Sequence, residues 1–147
     1  MLFRSIGVAT LTGALMSMRW IADLFAPLLG GVSDRWGRRL GAMAFLAIGA
    51  LALAVASLDG MLGLRVICVL IFFVCATGSN VALVADAGVR GSRAVASYVT
   101  AVDLGACLGP IVGWMMPQWQ LPTGWIFLCG ALCYGLAALG QMRNDEE

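Results

Sequence analysis

The chain has 147 residues, of which 61% are apolar and 12% charged, and its mean hydropathy is +0.94. Charged residues make up about 25% of a typical soluble protein, so this composition favours a protein that lies within a lipid bilayer. His is absent, which excludes sites built on imidazole. The net charge is only +1, and the arginines are scattered, so nucleic acid is not an expected partner.

Five apolar runs are long enough to cross a bilayer, because about 20 helical residues span about 30 Å of hydrocarbon. They cover residues 9 to 31, 40 to 58, 62 to 84, 95 to 116 and 124 to 141. Short connections rich in turn-forming residues separate them and leave no room for a soluble domain. The sequence therefore predicts an all-α, polytopic helical membrane protein with a single transmembrane domain over residues 1–147.

The arginines of the connections predict how the chain is oriented in the membrane. One side carries Arg35, Arg38, Arg39, Arg90, Arg93 and Arg143, whereas the other side carries Arg4. The positive-inside rule makes the arginine-rich side cytoplasmic, with the N-terminus outside and the C-terminus inside a cell membrane of the bacterial inner-membrane type. The outer interface then holds a cluster of indole rings, at Trp114, Trp119 and Trp125.

Two segments carry a family resemblance. Residues 30–39 read GGVSDRWGRR, which resembles the G-x-x-x-D-R-x-G-R-R signature of the major facilitator superfamily. Residues 105–113 read GACLGPIVG, which resembles the G-x-x-x-G-P-x-x-G-G segment of exporters in that superfamily, with Trp114 in place of the last glycine. Their order and spacing imply five helices of one six-helix half, which we assign to helices 8 to 12 of the C-terminal half.

The resemblance implies part of a secondary active transporter that moves a small solute by alternating access, with export as one direction. It implies three partners: the lipid bilayer, the missing transporter half on the same or another chain, and an unknown small-molecule substrate, with proton coupling as one option. The alternative is a non-transporting membrane scaffold or assembly subunit that kept the fold. We expect no enzyme, no cofactor and no metal site, because the spans hold no nucleophile paired with a base.

The resemblance also implies a conformational latch. In this interpretation Asp34 meets a helix end of the other half, and an arginine of the same loop pairs with Asp86 on its own half. The latch residues are Gly30, Asp34, Arg35, Gly37, Arg38, Arg39 and Asp86. The other interpretation is a basic loop that only sets the orientation of the chain.

The second segment predicts a helix-packing motif. Gly105, Gly109 and Gly113 recur at every fourth residue, which places them on one helix face where a neighbouring backbone can approach closely. Pro110 removes one backbone hydrogen bond and predicts a kink. One interpretation is helix packing alone. The other, which the resemblance implies, is a bend that takes part in the transport cycle.

Three charged residues are predicted to lie at membrane depth: Arg19, Asp23 and Asp103. Such residues are costly in lipid and are therefore candidates for a function. Arg19 and Asp23 are four residues apart and share a helix face, and Asp103 reaches a similar depth from another run. The cluster either pins helices together or forms a substrate or proton site that faces a central cavity.

Overall fold

The structure is a computed structural model that describes residues 2–58 and 61–143. Six helices and no strand occupy these residues: α1 (Leu2–Leu24), α2 (Ala26–Trp36), α3 (Arg38–Ser57), α4 (Leu62–Arg90), α5 (Ser92–Gln118) and α6 (Gly124–Arg143). The predicted all-α class is confirmed. Helices α3 to α6 are each long and apolar enough to cross a membrane, and α1 with α2 adds a fifth span if the bent pair counts as one. This architecture is consistent with a multi-pass membrane protein.

The first predicted span is broken rather than continuous, so the expectation of one helix over residues 9 to 31 is wrong. Its two parts, Thr12–Leu24 and Ala26–Trp36, meet at an angle of 52°. Pro27 lies in the first turn of α2. Its ring has no N–H and clashes with the carbonyl four residues earlier, which belongs to Asp23. The break therefore follows from a proline that the apolar pattern conceals.

Two predicted connections are mostly helical. Helix α2 continues through the polar segment to Trp36, and α4 continues to Arg90, well past residue 84. A single glycine separates each pair of successive helices, with φ of +92° at Gly37 and +103° at Gly91. Glycine adopts such angles without steric cost, so each junction turns within one residue. The connection between α3 and α4 contains Asp59 and Gly60, which lie outside the described residues.

The centre of the bundle is made by α3, which packs against both α4 and α6. Its buried face consists largely of small residues, among them Ala42, Ala52 and Ala56. Across the contact, a Cβ placed on Gly78 of α4 would lie 2.8 Å from the ring of Phe45. Small residues let the backbones approach, which is how helices gain packing energy where lipid is as apolar as the side chains.

Contacts at the two ends of the bundle separate the connections into two groups. At one end, Arg39 at the start of α3 donates a hydrogen bond of 3.1 Å to the carbonyl of Gln141 at the end of α6. At the other end, Arg65 donates to the carbonyl of Ala56 over 3.2 Å. The arginine-rich junctions α2–α3 and α4–α5 lie at the first end. Which end faces the cytoplasm stays a prediction.

Orientation is testable by cysteine labelling in a variant whose five native cysteines are replaced by serine. We expect a membrane-impermeant maleimide added to intact cells to label Gln120→Cys and to leave Arg93→Cys unlabelled until the membrane is opened. The reason is that residue 120 follows α5 at the tryptophan-bearing end, whereas residue 93 belongs to the arginine-rich end. The reverse labelling pattern would contradict the orientation.

The close approach of α3 and α4 predicts that Gly78→Ala lowers the stability of the protein in detergent. The added methyl group must displace the Phe45 ring, and overpacking of this kind typically costs about 1–3 kcal/mol. Gly88→Ala is the matched control, because a Cβ there meets nothing within 4 Å. Thermal unfolding followed by circular dichroism gives the comparison, and equal midpoints for both variants would show that the helices are farther apart.

Candidate functional site

Two of the three predicted membrane charges lie together and share a polar partner. The hydroxyl of Thr77 on α4 donates a hydrogen bond of 2.6 Å to Oδ1 of Asp23, at the end of α1. Nε of Arg19 lies 3.9 Å from Oδ2 of the same carboxylate. Thr77 is near the middle of α4, about 20 Å from either end at 1.5 Å per residue. We call Arg19, Asp23 and Thr77 the Asp23 cluster.

The charge pair of the Asp23 cluster is incompletely satisfied. The separation of 3.9 Å exceeds hydrogen-bond length, and Nε of Arg19 is buried without a hydrogen-bond partner. The side chains of Arg19 and Asp23 are 42% and 39% exposed, so both are open on one side. Arginine has five N–H donors, and unused donors are costly inside a membrane. The cluster therefore has capacity for a further acceptor, supplied by a ligand or by another protein surface.

The helix break adds to the negative potential at Asp23. Pro27 cannot donate to the carbonyl of Asp23, and the N–H of Leu28 bonds to the carbonyl of Phe25 at 3.0 Å instead of continuing the α1 pattern. Carbonyls without N–H partners make the C-terminal end of a helix partly negative, and Asp23 lies in the last turn of α1. Chemically, this arrangement is suited to hold a proton or a cationic group.

A second polar pair lies on the same face of α4. The hydroxyl of Tyr98 on α5 donates a hydrogen bond of 2.6 Å to Oδ1 of Asn80. Asn80 follows Thr77 by three residues, so the two side chains lie one above the other. Helices α1 and α5 therefore flank one face of α4. Thr77 and Tyr98 are not among the site residues predicted above, although both are polar residues within long apolar runs, which was a visible signal.

The structure does not bring Asp103 to the Asp23 cluster. Among the described residues, α1 and α5 both contact α4 but do not contact each other. Asp103 is exposed on α5 and makes neither a hydrogen bond nor an ion pair with the described part of the chain. The expected triad is therefore reduced, within one chain, to the pair Arg19 and Asp23.

The latch residues form two local ion pairs at the arginine-rich end. Arg38 Nε lies 2.8 Å from Asp34 Oδ1, and Arg90 NH2 lies 2.7 Å from Asp86 Oδ2. Each pair spans four residues of sequence. Arg90 is the partner that sequence reasoning missed, although its spacing from Asp86 was a visible signal.

The positions of the other latch residues follow from helix packing. Gly30 lets α2 approach α4, since a Cβ there would lie 3.2 Å from Val81. Gly37 supplies the left-handed turn before α3, where Arg39 binds the α6 carbonyl of Gln141. Arg35 is exposed in the last turn of α2. The segment thus holds α2, α3 and α6 together at one end of the bundle.

The glycine motif of α5 is unpacked within this chain. A Cβ on Gly105, Gly109 or Gly113 would meet nothing within 4 Å. Helix α5 continues through Pro110 to Gln118, so the proline does not end the helix. Close packing at the glycines requires a neighbour that the described residues do not supply.

No protein family, curated protein or solved structure matches the chain. Within residues 2–58 and 61–143, no group of three metal-ligating side chains is close enough to hold an ion. The fold and the site define the protein as a class: an all-helical bundle whose spans suit a membrane, with a charge pair halfway along one of them.

The open charge pair predicts a compensating double mutant. We expect Arg19→Leu alone to reduce the yield of folded protein, because the Asp23 carboxylate then lacks its cation, a loss of about 1 kcal/mol for a pair that is about 40% exposed. Arg19→Leu combined with Asp23→Leu is expected to restore the yield. Monodisperse protein recovered by size-exclusion chromatography is the measurement.

The control for this pair is Arg93→Leu, which removes an exposed arginine that has no partner among the described residues. It is expected to leave the yield unchanged. A single Arg19→Leu variant with the parental yield would show that the guanidinium faces water and contributes nothing to the fold.

Proposed function

We propose that the chain forms part of a secondary active transporter of the major facilitator superfamily and moves a small solute by alternating access between two halves. The observation that supports this most is the segment from Gly30 to Arg39. Its Asp34–Arg38 pair lies at the same end of the bundle as the Asp86–Arg90 pair, and the helices that carry them are in contact. This is where a latch between two conformations has to lie.

The strength of these pairs suits a switch. Their side chains are between 32% and 59% exposed, and such ion pairs contribute about 1 kcal/mol or less because water screens them. A contribution of this size biases a conformational equilibrium without fixing the fold. In the proposed cycle, Asp34 and Asp86 exchange their local arginines for partners on the other half as one conformation closes.

The Asp23 cluster is the proposed substrate or proton site. It lies about halfway along α4, at the depth where transporters of this general design place their binding sites, and it adjoins the broken helix pair α1–α2. The charge pair adjoins the α1–α2 break, since Asp23 lies in the last turn of α1. The direction of transport follows from the partner half.

Solute exchange tests the proposal. Inverted membrane vesicles from cells that express the chain are energised to form a pH gradient, and a pH-sensitive dye reports proton movement when cationic, neutral or anionic test solutes are added. We expect at least one solute class to release protons in these vesicles and not in vesicles from cells without the chain. No response to any class would favour the scaffold alternative.

The latch predicts a specific mutant phenotype in the same assay. Asp34→Asn and Asp86→Asn are each expected to slow solute-dependent proton movement about fivefold, the factor that corresponds to about 1 kcal/mol, while the amount of protein in the membrane stays the same. Arg93→Gln is the control, because it changes the charge at the same end without touching either pair. Parental rates in both aspartate variants would reduce the segment to a topology signal.

A further inference from the structure

Two edges of the bundle lack a neighbour. Helices α1 and α5 flank the Thr77 and Asn80 face of α4 without contacting one another, and no residue of the apolar stretch Ser92–Met116 is buried. The four remaining helices pack mainly through α3. The open edges therefore carry most of the polar groups that the bundle places at membrane depth.

The two edges carry opposite charges that the chain leaves unsatisfied. On α1, the half-exposed guanidinium of Arg19 has no hydrogen-bond acceptor in the described residues. On α5, the exposed carboxylate of Asp103 has no donor there. Charged groups at this depth either pair with protein or face a water-filled cavity. The two charges are complementary, but α1 and α5 do not contact one another, and no ion pair joins Arg19 to Asp103 within the described residues.

Two interhelical hydrogen bonds fix the relative depths of these charges. The bond from Thr77 places Asp23 level with residue 77 of α4, and the bond from Tyr98 places that tyrosine level with Asn80. At 1.5 Å per residue, Asp103 then lies about 7.5 Å beyond the Asn80 level, away from the arginine-rich end. Asp23 lies about 4.5 Å and Arg19 about 10.5 Å beyond the same level. Asp103 is therefore within about 3 Å of the depth of both.

Equal depth is what a symmetric pair of chains requires. A two-fold axis along the membrane normal keeps every residue at its own depth, and an isologous contact places one surface against another twice. If α1 of one copy contacts α5 of the other, Arg19 meets a carboxylate at its own level in both contacts. The five N–H donors of Arg19 are enough for Asp23 and for the second carboxylate.

We propose that a second copy of this chain covers the open face, with α1 of each copy against α5 of the other and Arg19 paired with Asp103 of the partner subunit. This rests on the proposed function and deepens it, since it identifies the missing half as an identical chain. Within one chain, the predicted cluster of Arg19, Asp23 and Asp103 lacks Asp103. The pairing of two chains brings Asp103 of the partner subunit to Arg19 and so completes the cluster.

Charge reversal in two differently tagged copies tests the pairing directly. Copies that all carry Arg19→Glu place two acids together at both contacts, and copies that all carry Asp103→Arg place two arginines together. We expect capture of one tagged copy by the other to fall at least tenfold in each case, about 1.4 kcal/mol or more. When an Arg19→Glu copy is mixed with an Asp103→Arg copy, both contacts again join opposite charges, and capture is expected to return to the parental level.

The proposal is overturned if parental copies extracted from one membrane do not capture each other. It is also overturned if both reversed variants capture their own copies at the parental level, or if the mixed pair shows no recovery. Asp103→Asn guards against misfolding, because Asp103 is exposed and has no partner within the described chain. It must weaken capture as well, and parental capture by this variant would also overturn the pairing. Arg93→Glu is the control and is expected to change nothing.

The outcome is separable from that of the solute assay. Solute exchange by a chain that does not capture a second copy would leave the proposed function standing and overturn the pairing. Capture that is lost in the two charge-reversed variants and restored in the mixed pair, without exchange of any solute class, would establish the pairing of two chains and overturn the proposed transport function.

Discussion

The cost of an unpaired polar group inside a hydrocarbon layer is the constraint on which the rest of this structure depends. It makes every span a helix, because only a helix satisfies its own backbone. The same cost applies at Pro27, where the backbone hydrogen-bond pattern of the helix is interrupted beside the Asp23 carboxylate. Thr77 and Arg19 offset part of that cost, so the break, the hydroxyl and the charge pair form one physical unit.

Packing decides where the polar residues of the spans end up. Small residues and glycines, such as Ala42 and Gly78, allow α3 to approach α4 and α6 closely, and these three helices form the compact part of the bundle. Helices α1 and α5 are left at its edges. Thr77 is buried against Asp23, whereas Asn80 beside Tyr98 is exposed, so the polar face of α4 is open only in part. A surface of this kind inside a membrane needs a protein or a water-filled cavity opposite it.

The arginine-rich end of the bundle carries two short ion pairs that are open to water. The Asp34–Arg38 pair joins α2 to α3 across Gly37, and the Asp86–Arg90 pair lies within α4. Both pairs are exposed, so water screens most of their attraction. The middle of the spans holds the Arg19–Asp23 pair, and few other charged groups lie near enough to replace either partner. Exposed pairs such as the two at the arginine-rich end can exchange partners during a conformational change without unfolding the bundle.

The sequence by itself determined the helical class, the number of apolar spans and the two groups of connections. Hydropathy and turn residues act over a few neighbouring positions, so they can be read along the chain. It also placed Arg19 next to Asp23, because four-residue spacing on a helix is local. The helix ends were less predictable: residues 85 to 90 are polar enough for a loop, yet α4 continues through them until Gly91.

Only the tertiary structure decided which helices face one another, because that choice depends on side-chain shape across residues far apart in sequence. Thr77 became the partner of Asp23 through a contact between positions 54 residues apart. Asp103, which has a similar depth and charge, was left outside because α5 contacts α4 but not α1. The depth of a residue changes by a fixed rise per position along a helix, so it can be counted from the sequence. The direction in which that residue faces within the bundle is set instead by the packing of the small residues on α3 and α4.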